Sequence, residues 1–218
     1  TPIQFSDDGT LLNGQHRLNA IVKSKTSQKM LILTGIEKEA FQVMDTGRLR
    51  SGSDVLGMEG VENSSATSSA IRFILGHKKG LNARGSDTFS STNSSILNFY
   101  RNNSNINSIM VQAHKYYLSF DRVLSHSQVA SYLFLMSEKN TLEAESFWRK
   151  TCSGLGLSDG DPELVLRKKL ISDKISKSSM SPAEKKALII KAWNYRRKDI
   201  KIKILRWNKE TEKFPVAI

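Results

Sequence analysis

Cysteine is all but missing from this 218-residue chain, where Cys152 stands alone. One thiol excludes an internal disulfide framework and a cysteine-built zinc site. Long apolar runs are missing too. Nothing approaches the roughly 18 residues that span a bilayer, so no membrane partner is expected. There is no signal-peptide pattern, because Thr1-Pro2-Ile3-Gln4 leads directly into an alternating stretch. An initiator methionine is lacking, and the natural N-terminus is expected to be missing. These absences point to a soluble, cytoplasmic protein. His77, His114 and His126 lack metal-ligand spacing, and no internal repeat, helix-turn-helix or zinc-finger pattern is evident.

Acidic residues are scarce in one part only. Residues 1–164 carry 17 Lys/Arg against 16 Asp/Glu, whereas residues 165–213 carry 16 against 5. The second stretch therefore holds +11 of the formal +12. Such asymmetry points to a polyanionic partner, DNA first for a cytosolic protein. The charge clusters as Arg167-Lys168-Lys169, Lys185-Lys186, Arg196-Arg197-Lys198 and Lys201/Lys203. From these, Lys185, Lys186, Arg196, Arg197, Lys198, Lys201 and Lys203 are the expected nucleic-acid contacts. Phosphate neutralisation of this kind gives affinity without sequence readout and weakens steeply with salt. A solvated basic surface is the alternative.

What is present in the first 62 residues reads as α/β. Ile3-Gln4-Phe5-Ser6 alternates, Asp7-Asp8-Gly9-Thr10 supplies turn chemistry, and Leu11-Leu12 restarts an extended run. A helix begins at Gln15, with Leu18, Ile21 and Val22 on one face. Residues 30–33 and 41–44 are further strand candidates. Strand, helix, strand favours a small mixed sheet. From residue 63 the pattern is mainly helical. Asn63 is a candidate cap, with Ala66, Ala70, Phe73 and Ile74 on one face. Val129, Tyr132, Leu133 and Met136 repeat the stripe, as do Ala144, Phe147, Trp148 and Thr151. Asp161-Pro162 reads as a cap followed by proline at the first helical position. Ser181-Pro182-Ala183-Glu184 has capping-box spacing and opens a helix towards Arg197. Ala187–Ile190 and Trp193 predict that this helix is substantially buried. Ile200, Ile202 and Ile204 alternate with Lys201 and Lys203 as a closing strand. Residues 80–92 and 102–108 read as loops, and 173–181 as a Lys/Ser-rich linker. The expected class is therefore α/β (α+β): a small mixed sheet over 1–62, then a mainly helical region over 63–218 with a basic C-terminal segment.

Gly14 sits where a strand hands over to a helix. The first N–H groups of a helix have no internal partner and face the positive end of its dipole. A glycine lets a phosphate approach the backbone, and Arg17 can hold two phosphate oxygens in its planar fork. Gly14, Gln15, His16 and Arg17 are thus a phosphate cradle on physical grounds. A helix-start histidine that merely bonds its own turn is the alternative for His16.

The run Pro2-Ile3 … Asp8-Gly9 … Leu11-Leu12-Asn13-Gly14-Gln15-His16-Arg17-Leu18-Asn19-Ala20 resembles the ParB/sulfiredoxin superfamily. It is similar to its Asp-Gly-Gln-His-Arg variants, with Asn13 in place of the Asp. Met44-Asp45-Thr46-Gly47-Arg48-Leu49-Arg50-Ser51, together with Lys191–Asn194, Leu205-Arg206-Trp207 and Phe214-Pro215, is similar to a ParB-like group from phages and mobile elements. The resemblance implies a ParB/sulfiredoxin-like sheet and phosphate binding by the turn: CTP in ParB, ATP in sulfiredoxin and in a kinase acting on free serine. Other members are nucleases. Carried over, Gly14 shapes the turn while His16 and Arg17 contact phosphate. Sulfiredoxin chemistry is excluded, because Gln15 occupies the position of its cysteine. Leu18 and Asn19 depart from the further arginines of ParB clamps, which puts a CTP switch in doubt. The superfamily's preceding strand and helix are not found here.

Asp45-Thr46-Gly47 is not an aspartic-protease triplet, being a single copy followed by Arg48 and Arg50. Strand ends of α/β sheets are where ligands sit. Asp45 is accordingly the candidate catalytic residue and Mg²⁺ ligand, with Arg48 and Arg50 as further phosphate contacts; a turn-capping Asp45 paired with arginine is the alternative. The expected function is a phage or mobile-element ParB-like DNA-binding protein, placed in the host cytoplasm. Its active form would be a Mg²⁺-dependent nuclease or an NTP-dependent phosphotransferase or NTPase using ATP or CTP. The alternative is a non-catalytic nucleic-acid-binding module, or an anti-defence protein binding a host factor.

Overall fold

Alternation in the first residues becomes a three-stranded mixed sheet with the order β2-β1-β3. Strand β1 (Ile3–Ser6) runs antiparallel to β2 (Leu11–Asn13), pairing Gln4 with Asn13 and Phe5 with Leu11. It runs parallel to β3 (Ile32–Ile36), with Ile3 opposite Ile32 and Gln4 opposite Leu33. The turn between β1 and β2 is held by Ser6, whose N–H donates to the Thr10 carbonyl at 2.9 Å and whose hydroxyl donates to Asp8. Helix α1 (Gln15–Ser24) connects β2 to β3, which lie on opposite sides of β1 and run antiparallel to each other.

The computed structural model describes residues 2–37, 50–80, 91–176 and 180–218. The strand candidate at 41–44, Asp45 and Arg48 lie outside the described residues, as does most of the 80–92 loop. The chain divides into two compact units, Thr1–Ser51 and Gly52–Ile218. The division falls at residue 51 rather than 62 because helix α2 (Gly52–Met58) buries Val55 and Leu56 and packs on helical elements of the second unit.

The second unit is helical: α3 (Ser64–Lys78), α4 (Asn93–Asn102), α5 (Ile106–Ser119), α6 (His126–Ser137), α7 (Thr141–Ser153), α8 (Pro162–Ile175) and α9 (Pro182–Arg197). Helix α6 is central. Every residue from Val129 to Met136 is buried, and α3, α5 and α7 pack around it. A helix apolar on all sides belongs in a core, and this one is started by a full capping box between Ser125 and Gln128. The stripe Ala144, Phe147, Trp148 and Thr151 on α7 is fully buried. Phe147 stands edge-on to both Trp148 and Trp193. Ala187–Ile190 and Trp193 on α9 are buried as their pattern predicts. The tryptophans belong to this core: Trp148 and Trp193 are inaccessible, and Trp207 packs on Phe214.

Four local expectations change. Residues 200–204 form no strand, because no partner strand lies beside them among the described residues; Ile202 N–H donates to the Gly160 carbonyl at 2.7 Å instead. The predicted 102–108 loop shrinks, since α5 begins at Ile106 and keeps Asn107 and Ser108 on its exposed face. The predicted 173–181 linker is helical to Ile175, and buried Asp173 accepts from Met180 N–H and pairs with Lys185 at 2.6 Å. Asn63 holds the position before α3 but in a left-handed conformation, without a side-chain cap.

Candidate functional site

The turn between β2 and α1 is built by Gly14. Its φ of 110° lies in the left-handed region, where L side chains are strained. A Cβ there would stand 2.5 Å from Ile3 Cδ1 and 3.3 Å from its Cγ2. The missing side chain therefore makes room for Ile3, the most buried residue of β1, a packing role that the sequence did not reveal. Asn13 fastens the turn from the other side, donating from Nδ2 to Gln4 Oε1 at 3.0 Å.

Helix α1 then begins without a side-chain cap and without an acidic residue in its first turn. Its first intrahelical bond runs from Leu18 N–H to the Gly14 carbonyl at 2.9 Å. The start of the helix opens on a small cleft of about 140 Å³ formed by Leu12, Asn13, Gly14, Gln15, His16 and Arg17. Gln15 and His16 are exposed, and Arg17 is half-buried, donating from Nη2 to the Pro2 carbonyl at 3.1 Å. Four of the expected phosphate contacts are therefore brought together. Arg50 is half-buried at the end of the first unit. Leu18 and Ile21 lie half-buried as the helical face predicts, but Val22 is 74% exposed.

The expected DNA contacts are redistributed by the fold. Arg196 Nε pairs with buried Glu163 at 3.0 Å, Arg197 with Glu143 at 2.6 Å, and Lys185 with Asp173. Lys186 is buried, with its ammonium 4.8 Å from the Phe73 ring centre and 5.6 Å from that of Phe214. Burial pulls its pKa down to about 8. Lys186 is thus a core cation and not a surface contact, a correction that helical periodicity alone did not foretell. Arg167 also turns inward, donating to the Thr151 and Cys152 carbonyls and lying over Phe120. Lys198, Lys201 and Lys203 remain exposed, Lys201 with Asp161 at 3.8 Å.

Two juxtapositions escaped the sequence reading. His114 and His126, distant in sequence, stand edge to face at 5.1 Å, with His126 Nε2 2.8 Å from the Met110 carbonyl. Lys168 and Lys169 of α8 share a cleft with Lys201 and Lys203. Only the packing of α8 on the segment after α9 joins them. No group of three His, Cys, Asp or Glu side chains among the described residues could hold a metal ion. Comparison of the chain with family models, curated proteins and solved structures gives no match.

Proposed function

We propose that the chain is a ParB-like DNA-binding protein in which the Gly14–Arg17 turn holds a phosphate, supplied by a nucleotide or by the DNA backbone. The observation that carries this reading is the start of α1: an uncapped first turn with no acid in it, opening on a cleft beside His16 and Arg17. First-turn N–H groups, the helix dipole and a guanidinium all favour an anion there. Exposed Lys198, Lys201 and Lys203 would add sequence-independent backbone contacts. The order β-β-α-β in the first unit is consistent with the resemblance of its motif to the ParB/sulfiredoxin superfamily.

The test is a titration with ATP, CTP, GTP and short duplex DNA, read by thermal shift and fluorescence anisotropy. One ligand is expected to raise Tm, and His16→Ala and Arg17→Ala to weaken it by roughly tenfold or more. His16 is the cleaner variant, since Arg17 also holds the Pro2 carbonyl. Binding that both variants leave intact would overturn the reading. Plasmid incubated with Mg²⁺, with and without ATP or CTP, tests for turnover; Asp45→Ala is the variant that should abolish nicking if the chain is a nuclease.

A further inference from the structure

A cleft of about 820 Å³ lies between α8 and residues 201–205 in the second unit. Its floor is apolar: Leu164 and Val165 from the helix, Ile202 and Leu205 from the segment opposite, with Ile204 exposed at its edge. Its rim is cationic, with Lys168 and Lys169 on one side and Lys201 and Lys203 on the other. The acids nearby compensate little. Asp159 stands 3.9 Å from Lys168, both exposed, and half-buried Asp161 stands 3.8 Å from exposed Lys201; both pairs are long. The apolar lining continues along α8 through Ile171 to Ile175, which is 79% exposed.

Residues 201–205 form the second wall and run without helix or strand. Among the described residues, their one backbone–backbone hydrogen bond is that from Ile202 N–H to Gly160. Ile204, 71% exposed, offers its side chain to solvent next to Lys203 in the chain. The segment bends at Lys203, so it meets a ligand through its side chains and not as the edge of a strand.

We propose that this cleft docks an acidic peptide segment of a partner protein, one in which apolar side chains alternate with Asp or Glu. The apolar side chains fill the floor and the carboxylates meet the lysine rim. Charge complementarity selects an anion; duplex DNA can meet Lys201 and Lys203 through its phosphates, but it has no apolar side chains to set against Leu164, Val165 and Leu205. The proposal does not rest on phosphate binding at the Gly14 turn.

The test uses fluorescein-labelled peptides of about a dozen residues in which Leu or Ile alternates with Glu. A second peptide replaces every Leu and Ile by Asn, and a third replaces every Glu by Gln. Anisotropy with the full chain should show binding of the first peptide only. Ile204→Asn, which leaves the charge unchanged and alters an exposed residue, should weaken it by roughly tenfold while leaving duplex DNA affinity unchanged. Lys168→Glu should weaken it similarly and flatten its salt dependence. Three outcomes overturn the proposal: no peptide binds, the Asn-substituted peptide binds equally well, or Ile204→Asn leaves the affinity as it was. Loss of DNA affinity in Ile204→Asn without peptide binding would assign the cleft to nucleic acid and equally overturn it.

Discussion

Arg196 Nε lies 3.0 Å from Oε1 of Glu163, a carboxylate with only 2% of its side chain exposed. The pair joins α9 to the first turn of α8. Burial raises the Glu163 pKa, while its own backbone N–H and Arg196 pull it down. Arg196→Met would leave that carboxylate buried without its cation. The expected loss is about 2 kcal/mol, reduced from the fully buried case because Arg196 is partly exposed. A folded pKa above the unfolded value means that the group's contribution is fully present below the unfolded pKa and is lost as pH rises through the folded one. The variant's deficit should therefore be larger at pH 7 than near pH 4, where Glu163 takes up a proton. Urea denaturation at the two pH values measures this.

Lys186 carries the opposite sign. Its folded pKa of about 8 lies below the ordinary lysine value of 10.5, so between these the unfolded chain binds more protons. Stability from this group therefore rises with pH over that window. The rings of Phe73 and Phe214 offset part of the desolvation of the ammonium. Lys186→Met is expected to stabilise the protein by about 1 kcal/mol at pH 7. The gain should shrink as pH rises towards 10, in parallel thermal melts of both proteins.

Cys152 is fully buried, and burial pushes its thiol up to about 12 despite the Arg167 guanidinium nearby. A protonated, inaccessible thiol is a poor nucleophile. Alkylation of the native protein by iodoacetamide at pH 8 should be at least ~100-fold slower than in urea. Comparable rates would show that α7 opens readily at its C-terminal end.

Gly14→Ala meets two obstacles, the left-handed φ and Ile3 Cδ1. Together they should cost about 2 kcal/mol in the first unit. No tryptophan lies in that unit, so intrinsic fluorescence would miss the change. Faster amide exchange across β1 and β2, with that of α6 unaffected, is the expected signature.

The redistribution of charge separates two groups of cations. Lys198, Lys201 and Lys203 replaced together by Gln should lower DNA affinity and reduce the salt slope by about 0.9 for each phosphate no longer neutralised, with Tm unchanged. Replacing Arg196 and Arg197 instead should lower Tm, because both are engaged inside the fold. Equal effects from the two sets would contradict this division.

Much of this molecule was legible in the sequence. The strand–turn–helix around Gly14, the stripes of α6 and α7 and the buried face of α9 are local patterns of period two or 3.6, and local patterns survive folding. Ser181-Pro182 marked the start of α9 because caps are satisfied within a few residues. Long-range partners carry no such mark. Nothing in the Lys185–Lys186 dipeptide says that one ammonium meets Asp173 and its neighbour lies between two phenylalanine rings. Nor does the Ile/Lys alternation after α9 reveal that no strand lies beside it. Periodicity and capping along the chain were enough to set most elements, and composition to show where charge accumulates. Which cations the core consumes, why Gly14 must be glycine, and that the lysines of α8 and of the segment after α9 face one cleft were settled by packing alone. Those depend on residues far apart in the chain, where burial sets the energy of a charge and sequence distance does not.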